Sequence, residues 1–402
     1  DLKKFRIHKK IRWKNAPNKS VKITNILRGE SMTAGEIYWW LALERAPFVG
    51  PITISKLMSA FGNPRSIIEA GTDVIKSTGL VSSRIAESLG SYKPDDEGIQ
   101  QAIETLDRLD ARVITRWDED YPKNLLEIYD PPAILFVRGD FQANDDLAIA
   151  VVGSRASSNY GDSVTTAITR DLVRAGVCVV SGLARGIDTV CHATALNEGG
   201  RTIGVLGCGL DINYPSENKA LIERMARDGV VMSEFRPGSE PLRTNFFRRN
   251  RIVSGLSKAV VVVEASRRSG SMITVNHALD QGRDVFAVPG NVLHERSRGP
   301  HSLIKQGAGL VESAQDILSV VFPPSLEKAS LQPTRVTPTV PDVDVSETAQ
   351  KVLDCLDADP FAVDTLCQMS GLQARNVLTA LMELELLGLV KQSPGKLFSR
   401  KE

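Results

Sequence analysis

Eight short apolar runs follow one another between residues 113 and 290, and several carry no polar residue on either face. They occupy residues 113–115, 133–139, 147–154, 177–182, 202–209, 230–235, 259–265 and 284–290. AVVVVEA (259–265) and LAIAVVGS (147–154) lack the alternation of a half-solvated strand, so both of their faces must be covered by other elements. Helical spacing over residues 162–175, 188–197, 217–227 and 273–281 separates several of the runs. Strand-helix alternation of this kind builds an α/β doubly wound, mostly parallel sheet with helices on both faces.

The flanks read differently. With 402 residues, 42% of them hydrophobic, the chain has room for two or three domains with cores of their own. Residues 31–92 show helical spacing broken at Phe48-Val49-Gly50-Pro51 and Phe61-Gly62-Asn63-Pro64, the pattern of a small helical domain. Within it, PFVGPITISKL resembles a helix-hairpin-helix turn, with one glycine where two are usual. The sheet domain is expected over 105–322. Residues 323–345 hold five prolines and no glycine, which describes an extended tether and a domain boundary. The segment 346–402 offers three helices (346–356, 362–370, 374–387) and a hairpin-like LVKQSPGKLFS, a winged-helix-like order. Its third helix sets Arg375 against Glu383 and Glu385, a poor charge pattern for the major groove, so protein contact outranks duplex reading. Residues 1–30 form a basic arm, from Lys3 to Arg28, with only Asp1 and Glu30 opposing; it reads either as a nucleic-acid tail or as an extension ahead of a start near Met32.

A net charge of +1 means that any nucleic-acid site must arise from local segregation of charge. The five cysteines (Cys178, Cys191, Cys208, Cys355, Cys367) are odd in number and form no CxxC, which fits buried thiols in a reducing cytoplasm, with neither disulfide nor zinc expected. No run approaches the roughly 18–20 apolar residues of a membrane span. GSRASS lacks the later glycines of GxGxxG, no GxxxxGK[ST] loop occurs, and His277, His294 and His301 are scattered, so no nucleotide cofactor or metal is expected.

In open α/β sheets a ligand lies beyond the carboxyl ends of the strands. Four of these ends are rich in glycine or arginine, among them Gly153-Ser154-Arg155; Gly182, Arg185 and Gly186; and Arg267, Arg268, Ser269, Gly270 and Ser271. Each can cradle a phosphate on backbone amides and a helix start. The run FFRRNRIVSGLS adds Phe246, Phe247, Arg248, Arg249, Asn250 and Arg251, read as a loop entering the buried strand at 259. Guanidinium forks that clamp phosphates beside a phenyl face for an unpaired base are the chemistry of single-stranded nucleic-acid binding. Asp188 and His192, four apart on a helix, read as a helix start and a packed side chain. Glu234 and Glu264 read as counter-charges that orient the arginines, Glu264 first among them.

The motifs GSR, SGLARGIDTVCHATAL, TIGVLGCGLDINYPSEN, FFRRNRIVSGLS, VVVVEASRRSGSMIT, GRDVFAVPG and LIKQGA stand in one order that closely resembles the DNA-processing protein A family (DprA, also called Smf), bacterial recombination mediators. The resemblance covers about residues 106–321. It implies an extended Rossmann-like domain that binds single-stranded DNA without cutting it, forms a homodimer and loads the RecA recombinase during natural transformation. It further implies that Arg155, Arg249, Asn250 and Arg251 lie in the DNA pocket and that Phe246 stacks on a base. Two departures stand out. The family's FPxRNR reads FFRRNR here, leaving open which of Phe246 and Phe247 stacks, and His301 replaces the asparagine of GxNxLI in the region implied to dimerise, 303–318. Two other functions stay open. One is a nucleotide-acting enzyme of the phosphoribohydrolase type, although SGSMIT stands where such enzymes carry PGGxGTxxE; the other is a winged-helix transcription regulator.

Overall fold

The first helix among the described residues, α1 (Ala34–Arg45), is set by a capping box in which Thr33 and Glu36 satisfy each other's backbone amides. A computed structural model of the chain describes residues 32–322, 346–356, 361–387, 389–393 and 397–400; the basic arm and the proline-rich tether lie outside them. After α1 come α2 (Pro51–Phe61), α3 (Pro64–Glu69), α4 (Thr72–Ser77), α5 (Ser83–Ser91) and α6 (Asp96–Arg108). Proline opens both α2 and α3, where its missing amide costs nothing, and Gly62 ends α2 in the left-handed region at φ 76°.

The alternating segment then runs β1 (Arg112–Thr115), α7 (Lys123–Leu126), β2 (Ile134–Gly139), β3 (Ala148–Val152), α8 (Asn159–Arg174), β4 (Cys178–Ser181), α9 (Ile187–Asn197), β5 (Thr202–Leu206), α10 (Lys219–Asp228), β6 (Val230–Ser233), α11 (Arg243–Gly255), β7 (Ala259–Val262), α12 (Ser271–Asp280), β8 (Asp284–Ala287), α13 (Arg298–Lys305), β9 (Gly309–Leu310) and α14 (Ala314–Val321). The nine strands form one sheet in the order β1-β2-β6-β5-β4-β3-β7-β8-β9. Every pairing from β6 through β9 is parallel, while β2 pairs antiparallel with β6 and with β1. The expected doubly wound sheet is therefore present, with an antiparallel margin. The chain winds from β3 to β4, β5 and β6 on one side and then crosses to β7 on the other, so the topological switch point lies between β3 and β7. Buried Val, Ile and Ala side chains of β3, β4 and β7 form a core on each face, as strands without alternation require.

The helical layer shares its core with the sheet margin: Ile37, Trp40, Leu57 and Ile99 pack in one cluster with Val113 of β1, Phe136 of β2 and Val231 of β6. The chain divides into two compact units, residues 1–331 and 332–402.

The arginine run corrects the sequence expectation. It is no loop but the middle of the 13-residue helix α11. Helical spacing was invisible there because the buried residues are Arg249 and Arg251 followed by Ile252, Val253, Ser254 and Gly255, so hydrophobicity marks only two of the six. Gly255 closes the helix against α7, where a Cβ would stand 2.9 Å from Leu125 and Ile128 side-chain atoms.

In the second unit, α15 (Glu347–Leu353), β10 (Phe361–Ala362), α16 (Val363–Ser370), α17 (Ala374–Leu386), β11 (Val390–Ser393) and β12 (Leu397–Arg400) form three helices and a small antiparallel sheet ordered β10-β12-β11. Val352, Leu366, Val377, Leu381 and Phe398 make its core. This is the expected winged-helix order. The outward face of α17 carries Leu378, Met382 and Leu386, apolar where a groove-reading helix would be basic.

Candidate nucleic-acid interface

Four strand ends, those of β3, β4, β5 and β7, are tied together at the carboxyl edge of the sheet. Gly153 follows β3 and lies so close to α9 that a Cβ there would fall 2.5 Å from Ile187 Cγ1. Gly186, at φ 71°, presses on the same turn: its Cβ would sit 2.2 Å from the Ser154 carbonyl oxygen, which itself accepts from the Ile187 amide at 3.2 Å. The turns after β3 and β4 are thus locked together by glycines. Ser271, at the start of α12, donates its hydroxyl to the Gly153 carbonyl at 2.7 Å and so joins the turn after β7 to the other two.

Helix α11 lies across this junction. The Arg249 guanidinium is buried and donates to the carbonyl oxygens of Gly182 and Val205, at the ends of β4 and β5. Gly182 is required for that insertion, because a Cβ would stand 2.5 Å from Arg249 Nη1. Asp188 supplies the counter-charge; its carboxylate also accepts from the amides of Gly182 (3.0 Å) and Ala184 (3.3 Å). Burial brings the Arg249 guanidinium down to about 10 and pushes the Asp188 carboxyl up, against the pull of Arg249 and the amides. Asn250 extends the tie: its Oδ1 accepts from Arg249 Nε at 3.1 Å and its Nδ2 donates to the Gly270 carbonyl at 3.2 Å. Arg251 turns toward the end of β6, into a buried pair with Glu234 and a second contact to Asp130 at 3.3 Å.

Phe246 rests on Gly207 after β5, where a Cβ would fall 2.6 Å from the ring. Its ring lies 5.3 Å from the Arg155 guanidinium, 5.9 Å from that of Arg249, and 5.2 Å from the ring of Tyr214. Phe247 instead lies under Arg243 at 5.5 Å and does not join this group. Of the two aromatics, Phe246 is the one among the site arginines. Tyr214 was missed by the sequence reading, although an exposed aromatic inside the glycine-rich loop after β5 was a usable signal.

The arginines divide into two classes. Arg249 and Arg251 are buried and consumed by structural partners, Arg248 reaches Glu234 at 3.4 Å, and exposed Arg185 pairs with exposed Glu217. Arg155, Arg267 and Arg268 are exposed, and among the described residues no carboxylate stands within ion-pair distance of them. The guanidiniums left without a carboxylate are therefore those of Arg155 after β3 and of Arg267 and Arg268 after β7. Arg155 and Arg249 come together at the Phe246 ring, whereas Arg251 is neutralised by Glu234 and Asp130.

The carboxylates also correct an expectation. Glu264 does not orient arginines: it accepts from the Ser158 amide at 2.9 Å and from the Ser158 hydroxyl, holding the residue that caps α8. Glu234 fills the role assigned to it. His192 is fully buried, with Nδ1 at 2.7 Å from Thr202 Oγ1, and burial lowers its imidazole to about 3. Among the described residues no three metal-ligating side chains converge, and no helix is long and apolar enough to cross a membrane.

Comparison with known proteins bears on this geometry. Residues 112–322 match the model of the family described as DNA recombination-mediator protein A, and residues 336–396 match that of the DprA winged helix domain. Protein Smf of Synechocystis is 32% identical over 399 residues, spanning 92% of this chain and 100% of that protein. DNA processing protein DprA of Streptococcus pneumoniae is 48% identical over 202 residues, 50% of this chain and 71% of that one. The X-ray structure of the S. pneumoniae DprA is similar at a TM-score of 0.61 and 36% identity, covering 72% of this chain and 98% of that one.

Proposed function

The chain belongs to the DNA recombination-mediator protein A family, and from that premise we propose that it binds single-stranded DNA along the carboxyl edge of its nine-stranded sheet. Arg155, Arg267 and Arg268 hold the phosphates, with amides of the turn at Ser269, Gly270 and Ser271 assisting, and a base stacks against Phe246 beside Tyr214. Arg249, Asn250, Gly182 and Arg251 position this surface from beneath, and Arg185 flanks it. The observation that carries the proposal is the exposed, uncompensated Arg155 guanidinium over the Phe246–Tyr214 aromatic pair at the carboxyl ends of the strands.

A binding role without catalysis is supported by the state of the acidic groups. Asp188, Glu234 and Glu264 are all engaged by structural donors, and His192 is sealed in the core, so none stands ready for acid–base work. Family membership supports the loading of RecA onto the bound strand, in the cytoplasm, during natural transformation. Homodimerisation through residues 303–318 is supported by β9, a two-residue edge strand whose Leu310 is exposed. The helical segment 31–92 and the winged-helix unit serve as accessory modules.

The test is filter binding of the full chain to a single strand and to a duplex of the same sequence. Preference for the single strand is expected, and equal affinity would refute the proposal. Sedimentation of a Leu310→Lys variant checks the dimer, with a shift to monomer expected.

A further inference from the structure

Strands β1 and β6 both run antiparallel to β2, so they are parallel to each other, and the residues after β1 emerge on the same sheet edge as the DNA surface. Those residues are Arg116 and Trp117. Trp117 stacks on the buried Trp40 of α1, with ring centroids 5.3 Å apart and planes inclined by 25°, yet it remains 45% exposed. An indole clamped on one face by a core residue and open elsewhere is a rigid platform, and every base has a face that can stack on it.

Arg116 flanks the platform, its guanidinium 5.6 Å from the Trp117 ring, and donates to Ser55 Oγ at 3.0 Å. Among the described residues no carboxylate lies within ion-pair distance of Arg116. The nearby aspartates are engaged elsewhere: Asp118 accepts from the Thr115 amide at 2.7 Å, and Asp120 pairs with Arg112 at 3.2 Å. Between platform and pocket stands β6, followed by Phe235 with the half-exposed Arg248 guanidinium over its ring at 5.3 Å. From β5, which carries the Phe246 seat, to β1 is three strand spacings, about 14 Å across the sheet. A few nucleotides bridge that gap.

We propose that Trp117 and Arg116 form a second base-stacking and phosphate subsite, which carries a single strand from the Phe246 pocket onto the helical layer. The proposal rests on the single-strand reading above and deepens it.

Fluorescence anisotropy with an oligothymidine length series on the full chain tests it. Trp117→Ala should leave the shortest bound oligomers unaffected and weaken long ones by about 5- to 100-fold, the range of one lost base stack. Trp117→Phe should restore most of the loss, and Arg116→Gln should lower the salt dependence by about one phosphate contact. Arg155→Ala should weaken binding at every length. If Trp117→Ala lowers stability, an abasic-site scan through a long oligomer on the unaltered chain gives the same answer, with one sensitive position expected outside the pocket. Unaltered chain that binds no single strand would sink the function itself. Unaltered chain that binds, with Trp117→Ala matching it at all lengths or with no second sensitive abasic position, would overturn only this subsite.

Discussion

Two arginines of opposite role, Arg155 and Arg251, show how burial decides what a guanidinium does. Arg155 is exposed and without a carboxylate, so Arg155→Ala should weaken single-strand binding by roughly 10- to 100-fold, the worth of a charge-assisted hydrogen bond, while the melting transition stays within about 0.5 kcal/mol. Arg251 is locked to Glu234 inside the protein, and Glu234 already has one oxygen without a partner. Arg251→Ala should therefore cost about 3–5 kcal/mol in a urea titration, because the buried carboxylate keeps only the half-exposed Arg248 at 3.4 Å. His192 supplies a pH dependence. Its folded value, about 3, lies below the ordinary 6.5, so between these values the unfolded chain binds the proton and the native chain does not. Stability is complete above 6.5 and should fall by up to ~1.4 kcal/mol per pH unit below it, a slope that His192→Gln should remove from denaturant midpoints. The sequence displayed which residue types matter at the edge, but it did not display their allocation. Glu264 and Glu234 look alike as strand-end carboxylates, and only the fold sends one to a helix cap and the other to an arginine.

At the scale of elements, the strands were legible because burial on both faces leaves an unbroken apolar run, and the doubly wound sheet followed from their alternation with helices; the switch point needed the strand order. Helix α11 was hidden for the opposite reason: its buried face opens on arginines whose partners come from β4, β5 and β6, far away in sequence. What seats that helix are glycines after the strands. Gly207→Ala should push the Phe246 ring off its seat, costing about 1–3 kcal/mol of stability and lowering single-strand affinity in the same protein, measured by melting and by anisotropy. An unchanged affinity would detach Phe246 from binding.

For the whole molecule, a net charge of +1 gives no general attraction for a polyanion, so binding depends on a few local contacts. Three phosphate-binding arginines predict a modest slope of log affinity against log salt, about −2, and Arg155→Ala should reduce it by about 0.7. The apolar outward face of α17 is consistent with a winged-helix unit that does not supply this charge. Family and architecture were readable from ordered motifs; the division between the surface that touches DNA and the buried frame beneath it needed three dimensions. The most direct measurement is photocrosslinking of the full chain to a short oligothymidine, with the adducts mapped by mass spectrometry. Adducts on Phe246 and Tyr214, lost on Arg155→Ala, are predicted; adducts confined to the amino edge of the sheet or to the winged-helix unit would contradict the account.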